Sequence, residues 1–253
     1  MSKHHFIPKA ALTAMNMDRT HIRIDTGAGA VMRLLTWLSP AFPVGAYSYS
    51  HGIEYVVEAG FVRNADTLGT WVDGILRFGA GRNDGIFLVA AYRAAAAADG
   101  ALLTEIATLS AALRGTRETA LESTAQGSAF LKAITAGWPA LAATTAVKEL
   151  GRVEAISYPV AVGTVAAVAT IDEATVLEAY LTALVANLIS AGVRLVPLGQ
   201  SDGLRVIAEL EPRVRDYAAH LRRLSRDDLG GSALAVDWSS MHHETQYTRL
   251  FRS

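Results

Sequence analysis

Residues able to do nucleophilic chemistry gather in one stretch, "SPAFPVGAYSYSHGIE", Ser39 to Glu54. It holds serines at 39, 48 and 50, with His51 and Glu54 close behind. Acyl transfer needs a serine hydroxyl against an imidazole that a carboxylate orients. If a helix begins at His51, then His51 and Glu54 are three apart on one face and can pair. A small helical hydrolase using Ser48 or Ser50 with His51 is therefore one reading. Against it, no G-x-S-x-G elbow is present, and "YSYSH" lacks a strand-turn-helix setting. The plainer reading is a loop entering a helix near His51, capped by Ser48 or Ser50. Tyr47 and Tyr49 then serve as packing or interface anchors.

Metal chemistry has one candidate, "MHHETQYTRLFRS", Met241 to Ser253. His242, His243 and Glu244 are potential ligands. Adjacent helical residues point about 100° apart, so His242 and His243 cannot both chelate one ion from one face. H-E-x-x-H would be a strong signal and H-H-E is a weak one. A stand-alone metal chaperone using this pair is a second reading. The alternative is a segment docked against a partner. Tyr247, Arg249, Leu250, Phe251 and Arg252 have the aromatic and guanidinium composition of interface hot spots.

Phosphate chemistry is poorly supported. "VPLGQSDGLR", Val196 to Arg205, has glycines but neither the P-loop spacing nor its lysine. It reads as a turn between helices, with Asp202-Gly203 as the turn dipeptide. Arg117, Glu118 and Gln126 are polar groups on a mid-chain helix, and the Arg117–Glu118 pair reads as a solvated surface feature.

These residues need elements to position them, and the chain reads as helices. "VMRLLTWLS" is stopped by Pro40 and Pro43. Asp66 is placed to cap a helix with Leu68, Trp71, Val72, Ile75 and Phe78 on one face. Asp84 is placed to cap "GIFLVAAYRAAAAADG", which Gly100 closes. Thr104 and Thr116 open the next two, and Gly137 with Pro139 breaks the second. Tyr158 to Ala169 is small and apolar and belongs at the centre. Asp172 caps the strongest stripe: Val176, Leu177, Tyr180, Leu181, Leu184, Val185, Leu188 and Ile189. Further helices cover Leu204–Glu211 and Arg213–Leu224. No alternating strand pattern or fixed repeat is evident. The expected fold is all-α, a single-domain multi-helix bundle over residues 30–253. Residues 1–29, with His4 and His5, read as a flexible lead-in.

Composition narrows the function. Net charge is −1, which gives no basic surface for nucleic acid. There is no cysteine, so disulfides and thiol catalysis are out, consistent with a cytoplasmic protein. The apolar stretches 155–171 and 179–193 fall short of the roughly 20 residues of a membrane span and read as core helices. The N-terminus lacks the apolar run of a secretory signal.

Four segments in order resemble the urease accessory protein UreF family. They are "LSPAFPVGAYSYSHGIE", "SYPVAVG", "VRLVPLGQSDG" and "HETQYTRLFRS". Small departures are Ala46-Tyr47 where Gly-Phe is common and His242 where arginine is common. The resemblance implies an all-α homodimer that is not an enzyme and matures urease in the cytoplasm. Its implied partners are UreD (UreH in some species), the GTPase UreG and the apo-urease subunits. Nickel passes in transit, with no stably bound cofactor. Tyr47 and Arg249 match positions implicated in holding the partner complex, and Arg194 falls near a basic position tied to control of UreG. The implied partner-binding set also takes in Ser48, His51, Glu54, His243, Glu244, Tyr247, Phe251 and Arg252.

Overall fold

A computed structural model describes residues 27–253, and the lead-in with His4 and His5 otherwise lies outside them. The first helix, α1, already runs from Ala28 to Trp37, so its start falls inside the span read as lead-in. Then follow α2 (Ile53–Glu58), α3 (Ala65–Phe78), α4 (Ala80–Ala96), α5 (Gly100–Ala112) and α6 (Arg117–Gly137). After these come α7 (Pro139–Ala142), α8 (Thr145–Leu150), α9 (Tyr158–Val168), α10 (Glu173–Leu195), α11 (Gln200–Leu221) and α12 (Leu234–His243). Among the described residues there is no strand, and the fold is all-α.

The centre is α9, buried along most of its length, as its small apolar composition requires. It packs along α4 and α6. A Cβ on Gly163 would stand 2.4 Å from the Leu88 carbonyl oxygen, so only glycine lets α4 come this close. Around this axis α10 lies on α3, α4 and α11. Asp172 does cap α10, accepting the Thr175 N–H at 2.9 Å. The predicted stripe is buried except Leu184, which is half-exposed. By length and composition α10 could cross a membrane; half of its most apolar window is buried against the other helices.

Several boundaries differ from the sequence reading. Asn64, not Asp66, caps α3, in a capping box with Thr67. Asp84 caps nothing: it lies one turn inside α4, buried, with Arg114 Nη1 at 2.7 Å and Tyr180 Oη at 2.8 Å. Asp99 caps α5 ahead of Thr104, and Gly100 opens that helix rather than closing the previous one. Thr116 caps α6 as expected. The two helices expected around Pro212 are one, α11. Val206, Leu210, Val214, Ala218 and Leu221 continue a buried stripe through the proline. That packing outweighs the roughly 3 kcal/mol a helical proline costs. Asp202 and Gly203 are in the first turn of α11, not in a turn between helices.

Candidate functional site

The Ser39 loop and the final segment meet on one face of α6. Phe42 and Val44 hold the loop down, with the Phe42 ring 5.5 Å from Phe130 and 6.2 Å from Trp138. Gly45 takes a left-handed φ of 73°, and a short 3₁₀ turn, Ala46–Ser48, lifts Tyr47 outward. His51 and Gly52 are then left-handed in succession, at φ 52° and 75°. Histidine tolerates this region better than most residues. At Gly52 a Cβ would also meet Ser239 Oγ at 2.5 Å and Ser240 N at 2.8 Å, where α12 crosses. The loop therefore enters α2 through an unusual backbone turn. Gly52 takes the N-cap position without a side chain to cap with, and Ser50 Oγ reaches the first turn of α2 instead, accepting the Glu54 N–H at 3.5 Å.

This turn separates His51 from Glu54. The expected pairing between them is not made, because His51 precedes α2 and points at α6. Its Nε2 lies 2.9 Å from Glu122 Oε1. Burial pulls the His51 imidazole down, but the Glu122 carboxylate and its hydrogen bond outweigh that, with Asp84 adding and Arg114 opposing. The net shift is above histidine's ordinary value. Ser50 Oγ is committed to the Ser253 carbonyl oxygen, so the serine-imidazole contact of a hydrolase is not formed at this loop.

Glu54, in the first turn of α2, turns inward. Its Oε1 accepts the Leu250 N–H at 2.6 Å, and its Oε2 accepts the Phe251 N–H at 2.9 Å. His243 Nε2 is 3.2 Å from the same Oε2, and His243 Nδ1 is 2.7 Å from Glu118 Oε2. The other Glu118 oxygen accepts from Arg249 at 2.9 Å. Glu122 Oε2 accepts from Ser253 Oγ at 2.8 Å, while Gln126 Nε2 donates to its Oε1 at 2.9 Å. Glu118, Glu122 and Gln126 stand four apart, so one face of α6 presents all three. All three are buried, Glu118 included, although its pairing with Arg117 reads in sequence as a solvated feature. The spacing of four was the legible signal.

Backbone pairing completes the join. Arg252 N–H donates to the Ser48 carbonyl at 2.8 Å, and Ser50 N–H donates to Ser253 O. Outside, the Arg194 guanidinium lies 4.5 Å from the Phe251 ring centroid and donates to the Tyr47 carbonyl at 3.0 Å. One arginine from α10 thus touches both loop and tail. Burial lowers the Arg194 pKa from its ordinary value.

The residues singled out in sequence divide by exposure. His51, Glu54, His243 and Phe251 are inside the chain, with His243 fully buried. Their polar groups are spent on internal partners, so direct contact with another protein is not what they offer. Ser48 and Glu244 are half-buried. Tyr47 is 61% exposed and Tyr247 fully so, with Leu250, Arg194, Arg249 and Arg252 also at the surface. His242 diverges from His243, its ring 4.5 Å from Trp238 and 5.0 Å from Tyr55. The two histidines do not converge as ligands, and no group of three metal-ligating side chains is poised for an ion among the described residues.

Beneath the loop lies a cavity of about 180 Å³. His51, Glu122, Gln126, Asp84, Arg114 and Tyr180 give it a polar floor, and Leu38, Val44 and Tyr47 contribute to its roof. Burial and the neighbouring Asp84 carboxylate raise the Tyr180 phenol well above its usual value, so it stays a donor. The pairing of Asp84 with Arg114 and Tyr180 went unseen in sequence, because it joins residues far apart in the chain.

A family model described as UreF matches residues 62–211. Proteins named urease accessory protein UreF resemble most of the chain. One from Rhodopseudomonas palustris (strain BisB5) is 50% identical over 226 residues, covering 89% of this chain and 92% of that protein. One from Xanthobacter autotrophicus is 47% identical over 224 residues, covering 88% and 91%. One from Methylorubrum populi is 47% identical over 223 residues, covering 88% and 98%.

Proposed function

Given that the chain belongs to the UreF family of urease accessory proteins, with a general role in urease maturation, we propose that the joined loop and tail form its docking surface for UreD. The observation that carries this is the pairing of Glu54 with the Leu250 and Phe251 amides. It fixes the tail against the loop, where Tyr47, Tyr247, Leu250, Arg249 and Arg252 are all exposed. Exposed aromatic and guanidinium groups on a rigid base are what an interface hot spot requires. His51, Glu54 and His243 serve this surface from beneath, as its supports.

In this reading the chain acts in the cytoplasm as a homodimer without catalytic activity of its own. The UreD-bound chain recruits UreG, which supplies the GTP hydrolysis, and the assembly docks on apo-urease. Nickel is cargo, passing rather than staying. A scaffold can gate a partner only by binding its nucleotide states with different affinity. Capture of UreG by the UreD-bound chain should therefore differ between GTP and GDP, and equal capture would sink the gating role. A tight, stoichiometric nickel site on the isolated chain would count against passage without storage.

A further inference from the structure

We propose that docking of the tail onto α2 and α6 is proton-dependent, with His51 and His243 as its two proton-holding clasps. The inference stands on the chain's own geometry and does not depend on the identity of any partner.

The charges set the argument. Three buried carboxylates, Glu54, Glu118 and Glu122, hold the segment from Leu250 to Ser253. Arg249 supplies one permanent positive charge, on Glu118. Among the described residues, His51 and His243 are the other groups that pair with these carboxylates and can carry a balancing charge. His243 has a carboxylate oxygen opposite each ring nitrogen. A neutral imidazole carries one N–H and one lone pair, so only the protonated ring donates to both Glu54 and Glu118. Losing that proton sets a lone pair against a carboxylate oxygen inside the fold. Burial of unbalanced charge is costly, and the cheapest relief is to let the tail lift and admit water.

The groups facing each ring come from every neighbouring element. Around His243 they are Glu54 from α2, Glu118 from α6 and, through Glu118, Arg249. Around His51 they are Glu122 from α6, Asp84 from α4 and Arg114, with Tyr180 of α10 on Asp84. Asp84 and Arg114 form their own ion pair at 2.7 Å and leave the clasp's balance unchanged. The raised His51 value agrees in sign: the folded state holds this proton more tightly than the unfolded chain does. Its stabilisation is present below the unfolded value and is lost as pH rises through the folded one. The cavity beneath the loop, which His51 lines, gives the buried ring a route to exchange with solvent.

The test is amide hydrogen exchange on the isolated full chain between about pH 6 and about pH 9, corrected for intrinsic rates, a window that brackets histidine titration. Protection at Leu250, Phe251 and Arg252 should fall as pH rises, approaching about tenfold per pH unit per proton released. Protection within α9 should hold. His51→Gln and His243→Gln should each flatten the slope, and the double variant should abolish it. Because His243 is fully buried and its variant can fail to fold, imidazole nitrogen spectra of the wild-type chain give a second readout. Both rings should be charged while the tail amides are protected. Neutral rings beneath a protected tail, or protection that does not change with pH, would overturn the proposal.

Discussion

The Glu54 carboxylate accepts the backbone N–H of Phe251 at 2.9 Å, joining positions 197 residues apart. This contact, with its twin to Leu250, fastens the tail to the loop's own helix. It works beside the Arg252–Ser48 and Ser253–Glu122 bonds, which hold the last two residues.

Glu54→Gln tests that anchor. The amide keeps the shape but removes the charge that faces His243 and two backbone donors. Hydrogen bonds to a charged group contribute about 1.5–3 kcal/mol each, so the expected loss is about 3 kcal/mol after partial compensation. Urea unfolding would read the loss, and an unchanged midpoint would contradict the anchoring role.

Gly52→Ala should destabilise the chain for two independent reasons. The residue has φ 75°, and its Cβ would meet Ser239 Oγ and Ser240 N. Left-handed backbone alone costs about 1–3 kcal/mol for a residue with a side chain, and the clash with α12 adds to it. By contrast Gly45→Ala, also left-handed but with open space around it, should cost only the backbone part. Thermal unfolding of the two variants side by side measures the difference.

Asp84→Asn leaves Arg114 buried without its charge partner. Breaking one side of a buried pair costs about 3–5 kcal/mol. Replacing both, as in Asp84→Leu with Arg114→Leu, should recover part of that loss, because no uncompensated charge then remains. A double-variant cycle followed by denaturant unfolding would show the coupling.

Glu173 predicts an acid-side dependence. Burial raises its carboxyl, but hydrogen bonds and charge from Arg93 and Arg222 win, so its value is lowered overall. A lowered carboxylate stabilises the fold above its unfolded value and loses that contribution as pH falls through the folded one. Glu173→Gln should therefore be less stable than wild type near neutrality and converge with it below about pH 4. A stability difference that stays constant across that range would refute the assignment.

What the sequence made legible follows from where each signal lives. The α10 stripe and the Asp172 and Thr116 caps are local patterns, and they appear as read. Asp84 misled because an acid before an apolar run looks like a cap. Its true partners, Arg114 and Tyr180, are 30 and 96 residues away and leave no local trace. Glu118 looked solvated for the same reason, since His243 and Arg249 come from beyond position 240 to meet it. The loop and tail were visible as unusual composition and as family resemblance. That they join, with their carboxylates and histidines buried and Tyr47 and Tyr247 exposed, is a tertiary fact.

The central claim is that this corner is the docking surface, and its exposed tyrosines test it most directly. Tyr47 and Tyr247 are surface residues, so alanine at both should shift stability by no more than about 0.5 kcal/mol. Co-purification of the Tyr47→Ala/Tyr247→Ala chain with UreD and UreG, scored with urease activation in the same cells, is the measurement. The predicted result is a folded chain that no longer retains UreD and leaves urease unactivated. Retention of UreD and full activation by that variant would contradict the claim.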